Sequence, residues 1–253
     1  MVTPTISTMG RQGELDLRPR KLDKNGQRRG GAREGAGRPR KKGRASEHHQ
    51  VRPDLDANKP LHVTTRVVPR AYGLRRRDTY AVIRDASFIA AAHAPDFRIV
   101  HLSIQRTHLH LIVEATNRVA LWKGMQGFLI SAARGINSAL AKRTHRRQRG
   151  AVFADRYHTR ALSTPREVRN CVAYVLNNWR HHGEDRERTW KLDPFASGVC
   201  FGGWKELEHR VFGFRPPPTY ASLIVWLPKT WLLSTGWRKH GRIDAFEVPG
   251  GDE

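Results

Sequence analysis

Thr107-His108-Leu109-His110-Leu111-Ile112-Val113-Glu114 alternates apolar and polar side chains with the period of two that a β-strand imposes. Leu109, Leu111 and Val113 fall on one face, which predicts a core beneath it. His108, His110, Ile112 and Glu114 fall on the other. Just upstream, residues 98–105 alternate in the same way, with Ile99, His101 and Ser103 opposed to Val100, Leu102 and Ile104. Arg106-Thr107 leaves room only for a tight connection, so the two runs read as a β-hairpin.

Working outward, Met125, Phe128, Leu129, Ala132, Ile136, Ala139 and Leu140 recur at spacings of three and four. That spacing predicts an amphipathic helix over residues 121–142. A basic cluster and Gly150 follow, and residues 151–162 offer a further strand. Thr164-Pro165-Arg166-Glu167 is a capping box with proline at the first helical position, opening a helix that should reach His181. On the other side of the hairpin, residues 76–93 read as a helix ended by Pro95, and the β-branched residues 62–68 as a strand. The order is strand, helix, strand, strand, helix, strand, then one further helix. This is an α+β chain on the ferredoxin-like βαββαβ plan, an antiparallel sheet with helices on one face and an added C-terminal helix that bears Tyr174.

The 253 residues carry 46 Lys and Arg against 23 Asp and Glu, a net charge of +23. Such an imbalance predicts a polyanionic partner. With 38% hydrophobic residues there is enough apolar material for a core, which excludes an acidic disordered chain. Two cysteines, Cys171 and Cys200, make no disulfide framework, and the expected compartment is a reducing cytoplasm. No apolar segment follows a basic start, so a signal peptide is not expected, and the longest apolar run is stopped by Pro228 far short of a membrane span.

Three regions are expected. Residues 1–58 form a disordered basic arm, with twelve Lys and Arg between Arg18 and Arg44 and only Asp23 and Glu34 against them. Within it Gly37-Arg38-Pro39-Arg40-Lys41-Lys42 resembles the AT-hook, in which an extended proline-held core places arginines in a narrow minor groove. The alternative for Arg38 and Arg40 is a solvated tail touching phosphates indiscriminately. Residues 59–190 form the catalytic domain, and residues 191–253, rich in Trp, Gly and Pro, an accessory segment.

Two imidazoles side by side on an open strand face can chelate one divalent ion, because alternate side chains on a strand lie about 6.5–7 Å apart. Exposed strand histidines are common, so the reading needs support from elsewhere. In the last helix Val168, Cys171, Val172, Val175 and Trp179 cluster at about 100° per residue into a buried stripe. Tyr174 and Asn178 fall off that stripe, four residues apart on one flank, where a phenol and an amide could reach the sheet. A phenol is a poor nucleophile at neutral pH unless a cation polarises the group under attack. Histidines holding a metal would supply that cation, and the Asn178 amide oxygen is a credible third ligand. No phosphate-binding GxxxxGK[ST] run is present.

His108-Leu109-His110 on a strand, the Arg156-Tyr157-His158 strand and the Tyr174-Val175-Leu176-Asn177-Asn178 helix together resemble the REP-associated tyrosine transposases of the HUH single-strand nuclease superfamily. The likeness runs from about residue 61 to 182. It implies that His108 and His110 bind a divalent metal, magnesium or manganese, with Asn178 completing the set and Tyr174 as nucleophile. It implies hairpin-forming single-stranded DNA as substrate, cut through a 5′-phosphotyrosine intermediate with strand transfer, in a prokaryotic, nucleoid-associated cytoplasmic protein. Trp179 stands where such proteins often carry proline. Monomer and helix-exchanged homodimer stay open.

Tyr157 is the rival nucleophile, with base stacking or sheet filling as its other roles. His62 and Glu114 read as spare ligand or base, or as structural groups at strand ends, and His181 as a phosphate contact or a solvated helix end. Arg66, Arg134, Arg143, Arg146, Arg147, Arg156 and Arg160 are candidate DNA-phosphate contacts, each with plain surface as its alternative. The competing function is a non-catalytic DNA hairpin-binding protein that retains the fold.

Overall fold

The computed structural model describes residues 54–93, 95–185, 190–207 and 221–249. The AT-hook-like segment, with Arg38 and Arg40, lies outside them. Four strands, β1 (Leu61–Arg66), β2 (Phe97–Ile104), β3 (His108–Ala115) and β4 (His158–Ala161), form one antiparallel sheet in the order β2-β3-β1-β4. Helix α1 (Arg77–His93) joins β1 to β2, α2 (Arg118–Thr144) joins β3 to β4, and α3 (Pro165–His181) follows β4. This is the expected α+β arrangement, each crossover helix returning the chain past one intervening strand.

The alternation of β3 sorts the sheet into two chemically distinct faces. Leu109, Leu111 and Val113 join Leu61 and Val63 of β1 in a core closed by α1 and α2. The two helices meet closely: a Cβ on Gly135 would lie 2.6 Å from the Cβ of Val82. Tyr157 belongs to this same core, at 9% exposure.

The other face, expected to be open, is covered. Val100 and Ile112 pack with Val168, Cys171, Val172 and Val175 of α3 and with Trp204, Trp237 and Ile243 from beyond it. The predicted stripe of α3 is buried throughout, Trp179 included, and an apolar stripe must find a partner surface. The sheet supplies it, so His110 is 3% exposed rather than solvated.

Helix α3 begins where its capping box predicts. Thr164 accepts from the Glu167 amide, and the Glu167 carboxylate accepts from the Thr164 amide at 3.0 Å. Helix α2 is longer than its apolar spacing suggests, because Asn117 caps it by accepting from the Ala120 amide and its last turn runs to His145 at φ 52°. Strand β4 is shorter than residues 151–162. Val67 and Phe153 make an isolated bridge, and only His158–Ala161 pair regularly with β1.

Residues beyond 190 are tied into the same body. Asp193 makes a bidentate pair with Arg75 at 2.8 and 2.8 Å, both side chains buried. Glu114 accepts from the Lys229 and Thr230 amides, each at 2.8 Å, which gives this carboxylate a structural role. Arg169 pairs with Glu247 across 2.8 Å, and Arg180 donates to the Ala245 carbonyl.

Candidate active site

Register sets which polar groups meet on the covered face. His110 stands opposite Thr64 of β1, and His108 opposite Arg66. On the far side of β1, His62 stands opposite Arg160 and Thr64 opposite His158 of β4. The Nε2 atoms of His108 and His110 face each other at 2.9 Å. The Nδ1 of His110 contacts the Thr64 hydroxyl and His62 Nε2, each at 3.2 Å, and the Nδ1 of His108 contacts the Thr107 hydroxyl at 3.1 Å. Hydroxyls that accept the Nδ1 protons leave both Nε2 lone pairs converging.

Helix α3 lays Tyr174 over this pair. Its hydroxyl is 3.5 Å from His110 Nε2, and its ring meets those of His110 and His62 edge-on, with centroids 5.0 and 5.9 Å apart. Two turns later His182 lies 6.1 Å from the His108 ring. Asn178 is therefore bracketed on the helix between residues that reach the two histidines. It was expected off the buried stripe, yet it is 0% exposed, and neither amide atom has a hydrogen-bond partner. Beside it, Asn177 donates to the Asp244 carbonyl at 3.0 Å.

Burial first, and neighbouring histidines and Arg66 second, push His110 down to about 2; burial with His182 and Arg66 puts His108 at about 4. His62 is also lowered to about 4, by burial and then by Arg160 and His158. The imidazoles are thus neutral at physiological pH, the state in which they can act as ligands. Burial raises the pKa of Tyr174, so its phenol resists ionisation unaided.

The donor set suits a hard divalent cation. Two ligand atoms about 2.1 Å from one ion at right angles lie about 3 Å apart, close to the separation of the Nε2 pair. A buried amide with nothing to bond to is the group such an ion would satisfy. Among the described residues no group of three or more His, Cys, Asp or Glu could hold a metal.

The candidate arginines divide. Arg66 and Arg160 border the histidine face through their register on β1 and β4. Arg156 is exposed just before β4, and Arg134 is exposed on α2. Arg143 lies in the last turn of α2, the helix that closes the opposite core, and Arg146 and Arg147 follow its C-cap. His181 is exposed at the end of α3. Sequence reasoning missed Thr64, Thr107 and His182. Thr107 adjoins the motif and could have been found from it, whereas Thr64 and His182 come into view only through strand register and helix docking.

A tyrosine-bearing helix thus lies over paired strand histidines. Residues 74–178 match the family described as "Transposase IS200 like". The matched segment contains both histidines, Tyr174 and Asn178, its last residue. Among solved structures, the chain is similar to a REP-associated tyrosine transposase bound to a REP hairpin, at 16% identity and TM-score 0.44, over 74% of this chain and 96% of that one. It is also similar to a candidate transposase from Deinococcus radiodurans R1, at 17% identity and TM-score 0.32, over 47% and 87%. No curated protein matches it.

Proposed function

We propose that the protein cleaves and rejoins hairpin-forming single-stranded DNA, with Tyr174 as the nucleophile. The observation that carries the reading is the 3.5 Å approach of the Tyr174 hydroxyl to His110 Nε2, which itself lies 2.9 Å from His108 Nε2, within one chain. The phenol oxygen attacks phosphorus and the bond from phosphorus to the 3′ oxygen breaks. The phenol gives up its proton and the departing oxygen gains one, leaving a 5′-phosphotyrosine and a free 3′-hydroxyl. Attack by another 3′-hydroxyl on that linkage reverses the step and restores the tyrosine, so no nucleotide cofactor is consumed.

His108, His110 and Asn178 would hold magnesium or manganese, which when bound would polarise the phosphodiester and stabilise charge on the leaving oxygen. Thr64, Thr107 and His62 fix the ring orientations. Arg66 and Arg160 at the margin suit phosphates of the bound strand, with Arg143, Arg146, Arg147 and Arg156 as further backbone contacts and Arg38 and Arg40 as minor-groove contacts.

The test is a labelled hairpin oligonucleotide incubated with manganese. A covalent protein–DNA adduct is expected from the parent protein, and none from Tyr174→Phe or in the presence of a chelator. An undiminished adduct in Tyr174→Phe would refute the assignment and turn attention to a different nucleophile. No adduct from the parent, with metal-indifferent and steeply salt-dependent binding, would favour a DNA-holding protein.

A further inference from the structure

Trp226 and Trp231 are 45% and 52% exposed, and Leu227 between them is 85% exposed. The same chain buries Trp179, Trp204 and Trp237 to 2% or less. The exposed pair does not sit on a loose loop. The Trp226 amide donates to the Ile99 carbonyl at 2.8 Å, and the Thr230 hydroxyl adds a 2.8 Å bond to the Glu114 carboxylate that already holds the Lys229 and Thr230 amides. Glu114 is itself 5% exposed, so a buried charge is committed to fixing the backbone of this turn while its large apolar side chains face water.

The surroundings are one-sided in charge. Residues 221–242 include Lys229, Arg238, Lys239 and Arg242 and no Asp or Glu. Lys229, Arg238 and Lys239 are exposed, and the Lys239 ammonium lies 5.0 Å from the Trp231 ring centroid. Immobilised, solvent-facing indoles amid cations suit one chemistry above others: bases of an unpaired strand stack on the rings while its phosphates meet the positive charges. A protein partner would use the apolar rings but would gain less from exposed charges that, within residues 221–242, are all cationic.

We propose that the Trp226 to Trp231 turn is a stacking platform for unpaired DNA bases, separate from the tyrosine and histidine group. The inference deepens the function proposed above and rests on it for the identity of the polyanion. Glu114, which fixes the turn, lies four residues from His110 on β3, about 13 Å along the strand. That span, from the anchor of the turn to the histidine, equals about four stacked nucleotides.

The experiment measures binding of the full chain to an oligothymidylate about 16 nucleotides long and to its abasic counterpart. Trp226→Ala/Trp231→Ala should weaken oligothymidylate binding tenfold or more. Trp226→Phe/Trp231→Phe should stay within about threefold of the parent, since a phenyl ring still stacks. On the abasic strand the parent should lose its advantage over the alanine pair. Equal affinities of parent and alanine pair for oligothymidylate overturn the proposal, as does an equal loss on both strands, which would mean contact with phosphate alone. Unchanged DNA affinity with loss of a dimer in light scattering overturns it in favour of self-association. The hairpin adduct is scored separately on the parent: its absence alongside tryptophan-dependent base binding sinks only the cleavage reading, and its presence without that dependence sinks only the platform.

Discussion

Asn178 is the residue at which the fold and the proposed chemistry pull in opposite directions. A fully buried amide with neither atom bonded is a burden on stability, on the order of 1–3 kcal/mol for each unsatisfied group. Asn178→Leu, of similar size, should raise the stability of the metal-free protein by about 1 kcal/mol in urea denaturation while abolishing manganese-dependent adduct formation. Loss of stability in that variant would show that the amide is satisfied within the fold and has no need of an ion. Neighbouring Cys171, pushed up to about 12 chiefly by burial, is an inert part of the stripe and not a competing nucleophile.

At the scale of elements, α1 and α2 can hold their half of the core only because Gly135 lets them approach. A methyl group there would meet Val82 backed by its branched side chain, not a flexible chain end. Gly135→Ala should therefore destabilise the protein by about 1–3 kcal/mol, read as a shift in the urea midpoint at constant slope, despite the better helix propensity of alanine. Helix α3 and the hairpin were legible in the sequence because their signals are local: a capping box, a proline at the first position, a strict alternation. The end of α2 and the extent of β4 were less so. His145 closes its helix with a backbone conformation that glycine more often supplies, and β4 pairs with β1 only from Leu61 to Thr64.

For the molecule as a whole, the chain beyond α3 acts as part of the core. Asp193 is completely buried against Arg75, so Asp193→Ala leaves that guanidinium only the more distant Glu184 carboxylate at 3.9 Å and should cost about 3 kcal/mol, measurable as a fall in melting temperature. Acid should weaken the fold as well. His101, 8% exposed, is lowered to about 4 by burial alone, beneath its ordinary value of 6.5. The unfolded chain takes up a proton there as pH falls through 6.5, while the native state resists until about 4. Its contribution is therefore intact above pH 6.5 and lost progressively below it, by something on the order of 2 kcal/mol at pH 5. Melting curves at pH 7 and 5 should show that loss, reduced in His101→Gln; an unchanged difference would assign acid sensitivity to the other buried histidines. No helix among the described residues is long and apolar enough to cross a membrane.

The sequence by itself determined the order of the elements, the two faces of β3 and the candidacy of His108, His110, Tyr174 and Asn178, because each is encoded in spacings of a few residues. Tertiary structure alone decided that the histidine face is covered, that Thr64 and His62 grip the ring of His110, and that Tyr174 comes to rest over it. Those relations join residues 46 to 64 positions apart. They follow from strand register and from where an apolar helix can bury its stripe, quantities that only the packed chain possesses.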